Sequence, residues 1–153
     1  MENYKVLPIK DINKEIFSML GMDITAFEFI DYAKKNTFNI NKIISHWEEL
    51  DDLSILKELA LPERENKSIF ILTDDLYYKK KVLKINEVYI GKYVSDYFNE
   101  NGVCFFNGNV VFILKDKNKV IQFNDDGYII HYETPLILIE KGMSKYLKNK
   151  CIE

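Results

Sequence analysis

Cysteine, histidine, arginine and glycine are all scarce in this chain, and each scarcity removes a class of chemistry. The two cysteines, Cys104 and Cys151, lie far apart and form no Cys-x-x-Cys pair, so they cannot build a disulfide framework. They read as a small strand residue and a free tail thiol. The two histidines, His46 and His131, sit in different halves of the chain, where a metal site would need them to meet and recruit carboxylates. Six glycines are scattered singly, in neither a G-x-G-x-x-G nor a G-x-x-x-x-G-K arrangement, which removes the backbone cradle that nucleotide phosphates need. There is no G-x-S-x-G elbow, and neither cysteine has a histidine beside it in sequence. No catalytic residue, cofactor or metal is therefore assigned.

Long apolar runs are missing too. None approaches the roughly 18 residues that cross a bilayer, and residues 1–20 carry charges throughout, so no secretion signal or membrane partner is expected. The expected location is the cytosol. Arg64 is the one arginine among 21 basic residues. With abundant Lys, Asn, Ile, Tyr and Phe, this points to an AT-rich coding genome and a bacterial source.

What is present is the composition of a globular protein: 47% hydrophobic and 29% charged, with ten Tyr and ten Phe. A chain of 153 residues makes one domain that buries roughly two-thirds of its unfolded surface. Net charge is −3, unevenly placed: residues 1–60 carry seven Lys against eleven acids, whereas residues 101–153 carry seven Lys against six.

The organisation follows from periodicity. Ile12, Ile16, Phe17 and Leu20 form a helical stripe that stops at Gly21. Thr25 and Glu28 make a capping box before Phe29, Ile30 and Ala33. Ile40, Ile43, Ile44, Trp47 and Leu50 continue at helical spacing. Asp51 or Asp52 then caps a short helix through Ile55, Leu56 and Leu59, ended by Pro62. Residues 1–62 thus read as mainly helical.

Residues 68–133 read as mainly strand. Ser68–Thr73 is an apolar β-type run, broken by Asp74-Asp75, and Leu76–Ile85 reads as the returning strand. Glu87–Asn99 is ambiguous, since Val88 and Ile90 alternate while Tyr93, Val94, Tyr97 and Phe98 have helical spacing. It reads as a short strand leading into a helix that ends at Asn101-Gly102. From Val103 to Glu133, apolar runs are separated by Asn107-Gly108, Lys115–Asn118 and Asp125-Asp126-Gly127. That is the pattern of an antiparallel meander. Thr134 and Pro135 open a final helix over 134–149. Segregated helices and strands mean α+β: N-terminal helices, an antiparallel meander of four to six strands and a C-terminal helix in a single domain, with helices largely on one side.

Three functional readings follow. Glu48, Glu49, Asp51 and Asp52 form a negative cluster beside Trp47, a surface suited to a basic protein partner such as a toxin domain. Asp74 and Asp75, following an apolar strand, could instead line a ligand-binding or hydrolytic cleft with His131. Nucleic acid has two footholds: a helix-turn-helix reading of Thr25–Trp47 with a later hairpin, as in a winged helix, and the run Tyr77-Tyr78-Lys79-Lys80-Lys81. The first of these carries Lys42 as the only base on its would-be recognition helix, followed by Glu48 and Glu49, which disfavours phosphate contact.

N-terminal helices, a Leu61-Pro62-Glu63 step, an antiparallel meander and a closing TPLILIEKGMSKYL segment (134–147) resemble the layout of SMI1/KNR4-type bacterial immunity proteins. The Tyr-containing helix that ends in Asn-Gly soon after Leu-Pro in that family is missing here. The resemblance implies a cytosolic antidote that binds and blocks a toxin, and it carries over no individual residue. The leading reading is a non-enzymatic, immunity- or antitoxin-like inhibitor acting through Trp47 and the acidic cluster.

Overall fold

Seven antiparallel strands form one sheet in the order β1-β4-β3-β5-β6-β7-β2. The computed structural model describes residues 4–20, 38–59, 61, 67–117, 119–124 and 126–133. In chain order the elements are β1 (Tyr4–Pro8), α1 (Ile9–Leu20), β2 (Phe38–Ile43), α2 (Asp52–Leu59), β3 (Ser68–Thr73), α3 (Asp74–Tyr78), β4 (Lys81–Asn86), α4 (Ile90–Asn101), β5 (Val110–Leu114), β6 (Lys119–Phe123) and β7 (Tyr128–Glu133). The architecture is α+β with an antiparallel sheet. The capping box at Thr25 and the helix over 134–149 lie outside the described residues.

Two of the seven strands come from the segment that reads as helical. β1 precedes α1 and pairs with β4 from Tyr4↔Ile85 to Pro8↔Lys81. β2 occupies the supposed helix of Ile40 and Ile43 and pairs with β7, with a bulge between Ile40 and Lys42. The bulge explains the misreading. One extra residue breaks the two-residue alternation, so two isoleucines appear three apart, as on a helix. The β-branched side chains of the run themselves favour a strand.

Alternation along the central strands buries both faces. Ile69, Ile71, Leu83, Phe112, Ile121, Phe123 and Ile129 pack against Ile55 and Leu59 of α2 and Ile90 and Val94 of α4. Phe70, Leu72, Val82, Ile113, Val120, Ile130 and Tyr132 form a second cluster with Ile9 and Ile12 of α1. Helices therefore cover both sides rather than one, as near-continuous apolar strands such as SIFILT and VVFIL require. One polar pair enters the second cluster, where the Tyr132 hydroxyl donates to Gln122 Oε1 at 3.0 Å.

β5, β6 and β7 are the expected meander. Asn124 shapes the last turn by accepting from the amides of Asp126 and Tyr128 at 2.9 and 3.1 Å. The run before Asn107-Gly108 is not a strand. β3 and β6 already occupy the two edges of β5, so residues 103–109 form a loop whose Phe105 and Phe106 plug the core. Asp74-Asp75 does break β3, but it opens a short helix before β4 begins at Lys81. Thr73 Oγ1 caps that helix through the amide of Leu76 at 3.1 Å. A 3-10 turn, Glu87–Tyr89, replaces the short strand expected before α4. α4 itself ends where the sequence places its end, with Gly102 at φ 70° and its amide on Phe98 O at 2.9 Å.

Candidate partner-binding surface

The acidic cluster divides into exposed and buried members. After β2 the chain enters a 3-10 turn, Trp47–Glu49, through His46 in the left-handed region at φ 57°. Glu48, Glu49, Leu50 and Asp51 are exposed there, while Trp47 is half-buried and meets Phe123 edge-on at 5.2 Å. Asp51 caps α2 by accepting from the Ser54 amide at 2.8 Å. Hydrogen bonds from the Ser54 hydroxyl and amide hold its carboxyl below the ordinary aspartate value, so it stays charged.

Asp52 is a different kind of residue. It is only 5% exposed, and its two oxygens accept from the amides of Phe105 at 2.7 Å and Phe106 at 3.1 Å. The side chain is thus a clamp between α2 and the 103–109 loop rather than part of the exposed acidic surface. Sequence alone could not separate it from Asp51, because the amides it holds lie more than fifty positions away.

Between α2 and α4 this clamp leaves an open groove of about 340 Å³, lined by Asp51, Asp52, Leu53, Val94, Ser95, Phe98, Asn99 and Cys104. Leu53 is 51% exposed, Phe98 50% and the neighbouring Val103 48%. Burial, with the nearby Asp52 and Asp51 charges, pushes the Cys104 thiol above its usual value and leaves it protonated at neutral pH. Sequence reading assigned no role to Leu53 or to the Cys104 loop. The available signal was apolar residues in excess of one core stripe: Ile55 and Leu59 already fill that of α2.

The second set of candidate residues does not converge. Asp74 and Asp75 are exposed on the first turn of α3, where a helix start favours acids. Asp74 accepts from the Asn109 amide at 3.0 Å, and Asp75 pairs with Lys79 at 3.1 Å. His131 lies within β7, whereas Asp74 follows β3. Two strands separate these, placing the groups roughly 14 Å apart across the sheet. Among the described residues, no three His, Cys, Asp or Glu side chains group as metal ligands.

His131 is informative in another way. Its Nε2 is buried with no hydrogen-bond partner among the described residues. Burial, and secondarily Lys119, holds the imidazole below the ordinary histidine value of 6.5. The unfolded chain therefore takes up a proton at His131 before the folded protein does, and stability should fall as pH drops below about 6.5 toward the folded-state value. Urea midpoints at pH 7.5 and 5.5 test this. His131→Leu should lose less stability than wild type between the two, and equal losses would remove His131 as the source.

Of the nucleic-acid footholds, the would-be recognition helix is strand β2, so its helix-turn-helix does not form; Thr25–Thr37 lies outside the described residues. Tyr78 is 87% exposed, and Lys79, Lys80 and Lys81 follow it into β4. Among the described residues no helix is long and apolar enough to cross a membrane.

Fold and surface together define an α+β protein with a doubly covered antiparallel sheet, an exposed acidic turn and a groove between two helices. No family model matches the chain, and neither a curated protein nor a solved structure is found to be similar to it.

Proposed function

We propose that this protein is a non-enzymatic inhibitor of the immunity or antitoxin kind, which binds a basic protein partner through the surface around Trp47, Glu48, Glu49 and Asp51. The observation that carries the reading is the exposure of these three acids beside exposed Leu50 and Leu53. Apolar contact supplies affinity and the negative rim steers a cationic partner and excludes acidic ones. Trp47 braces the turn from beneath through Phe123, so its role is to hold the acids in place. Inhibition of this kind needs occupation of the partner's working surface and no reaction of its own.

Affinity capture from the source cells at low salt, followed by mass spectrometry, tests the reading when paired with a charge-reversed variant. Wild type should retain a stoichiometric basic protein. Glu48→Lys with Glu49→Lys should lose it by tenfold or more, since rim charges govern encounter and salt dependence, while the fold melts as before. Equal retention by the variant would remove this surface, and recovery of a metabolite in place of a protein would end the inhibitor reading.

A further inference from the structure

We infer that the groove between α2 and α4 is an anchor pocket for one bulky apolar side chain of a partner segment flanked by lysine or arginine. The inference rests on the inhibitor reading above and specifies what the partner presents. At about 340 Å³ the groove sits at the small end of ligand pockets, which run to roughly 300–1,000 Å³, and it has room for one bulky side chain. Leu53, Val94 and Phe98 give it apolar walls, and Leu53 and Phe98 leave an apolar lip in water. Burying such a lip under an aromatic or branched side chain is favourable at about 25 cal/mol per Å².

The groove is also preformed. The Asp52 carboxylate ties the loop carrying Cys104 to the first turn of α2 through the amides of Phe105 and Phe106. Tyr93 and Tyr97 of α4 meet Phe105 edge-on at 5.8 and 5.4 Å, fixing the same loop against the other wall. A partner therefore does not have to order these walls on binding.

Charge selects the occupant. Asp51 is ionised at the rim, and Glu48 and Glu49 stand just upstream but outside the groove lining. A small cation confined to the groove would not reach them. A polypeptide segment can seat its anchor inside while flanking basic residues meet these acids. The fitting chemistry is thus a cationic segment with one Leu, Phe or Trp.

The probe is a short fluorescein-labelled peptide with a single tryptophan between lysine pairs, compared with versions carrying serine for tryptophan or glutamate for lysine. Anisotropy should show the tryptophan peptide binding at least tenfold tighter than the serine peptide, the effect of burying one large apolar side chain. The tryptophan peptide should also slow alkylation of Cys104, mapped by mass spectrometry, while the serine peptide does not. Ser95→Trp, which fills the groove, and the milder Leu53→Ser should each abolish the tryptophan advantage and spare the lysine-dependent part. Glu48→Lys with Glu49→Lys should do the reverse. Equal binding of the tryptophan and serine peptides, with charge reversal weakening both, would overturn the anchor pocket and leave the acidic-surface reading intact. A tryptophan advantage indifferent to charge reversal would overturn the basic flank and the reading beneath it. Absence of saturable binding by any of the peptides would overturn the pocket outright.

Discussion

Asp52→Ala should destabilise the fold by roughly 2–6 kcal/mol, the sum for two buried donors left unsatisfied. The substitution removes a buried acceptor and strands two amides, those of Phe105 and Phe106, inside the protein. Each stranded donor costs about 1–3 kcal/mol. Relief is not at hand, because the loop those amides belong to is fixed by Phe105 and Phe106, which are 3% and 1% exposed. Asp52→Asn keeps the volume and one acceptor, so it should fall between alanine and wild type. Asp51→Ala is the control from the neighbouring residue: it removes exposed capping contacts to Ser54 and should cost far less than Asp52→Ala. Urea unfolding of the three variants gives the ordering directly. An Asp52→Ala protein within about 0.5 kcal/mol of wild type, the range of ordinary surface changes, would mean the clamp contributes nothing.

That contrast marks where sequence reading stops. Local chemistry was legible: Asn101-Gly102 ends α4, the last meander turn sits at Asp126-Gly127, and α2 starts at an aspartate. These features depend on neighbours within a few positions. The β2 bulge was not legible, because one inserted residue turns a strand's alternation into helical spacing. Nor was the path of Val103–Asn109, whose composition suits a strand but whose place is decided by β3 and β6 filling both edges of β5. The candidate surface divides the same way. Glu48, Glu49 and Asp51 could be named from charge alone. The groove beside them depends on how α2 and α4 meet, which no local pattern encodes.

Gly127→Ala should cost roughly 2–5 kcal/mol, and it links this packing to the acidic turn. Gly127 sits at φ 86°, where a residue with a Cβ is strained by about 1–2 kcal/mol. A Cβ there would also fall 2.5 Å from the Ile44 carbonyl oxygen and 2.8 Å from Trp47 Cδ1. The Ile44 amide already donates to Gly127 O at 2.8 Å, so the two backbones cannot separate without losing that bond. Forcing extra volume into such a contact adds about 1–3 kcal/mol. Gly102→Ala isolates the first contribution, because Gly102 has φ 70° and nothing within 4 Å of its Cβ position. It should therefore cost about 1–2 kcal/mol alone. One of the two clashes at Gly127 is with Trp47, the only tryptophan in the chain, so its fluorescence should shift in Gly127→Ala and stay unchanged in Gly102→Ala. Because Glu48 and Glu49 follow Trp47 in the same turn, the Gly127 variant should also bind the proposed basic partner more weakly than Gly102→Ala does. Equal destabilisation by the two glycine substitutions, with Trp47 emission unmoved, would show that the turn yields freely and that Gly127 does not hold the acids in place.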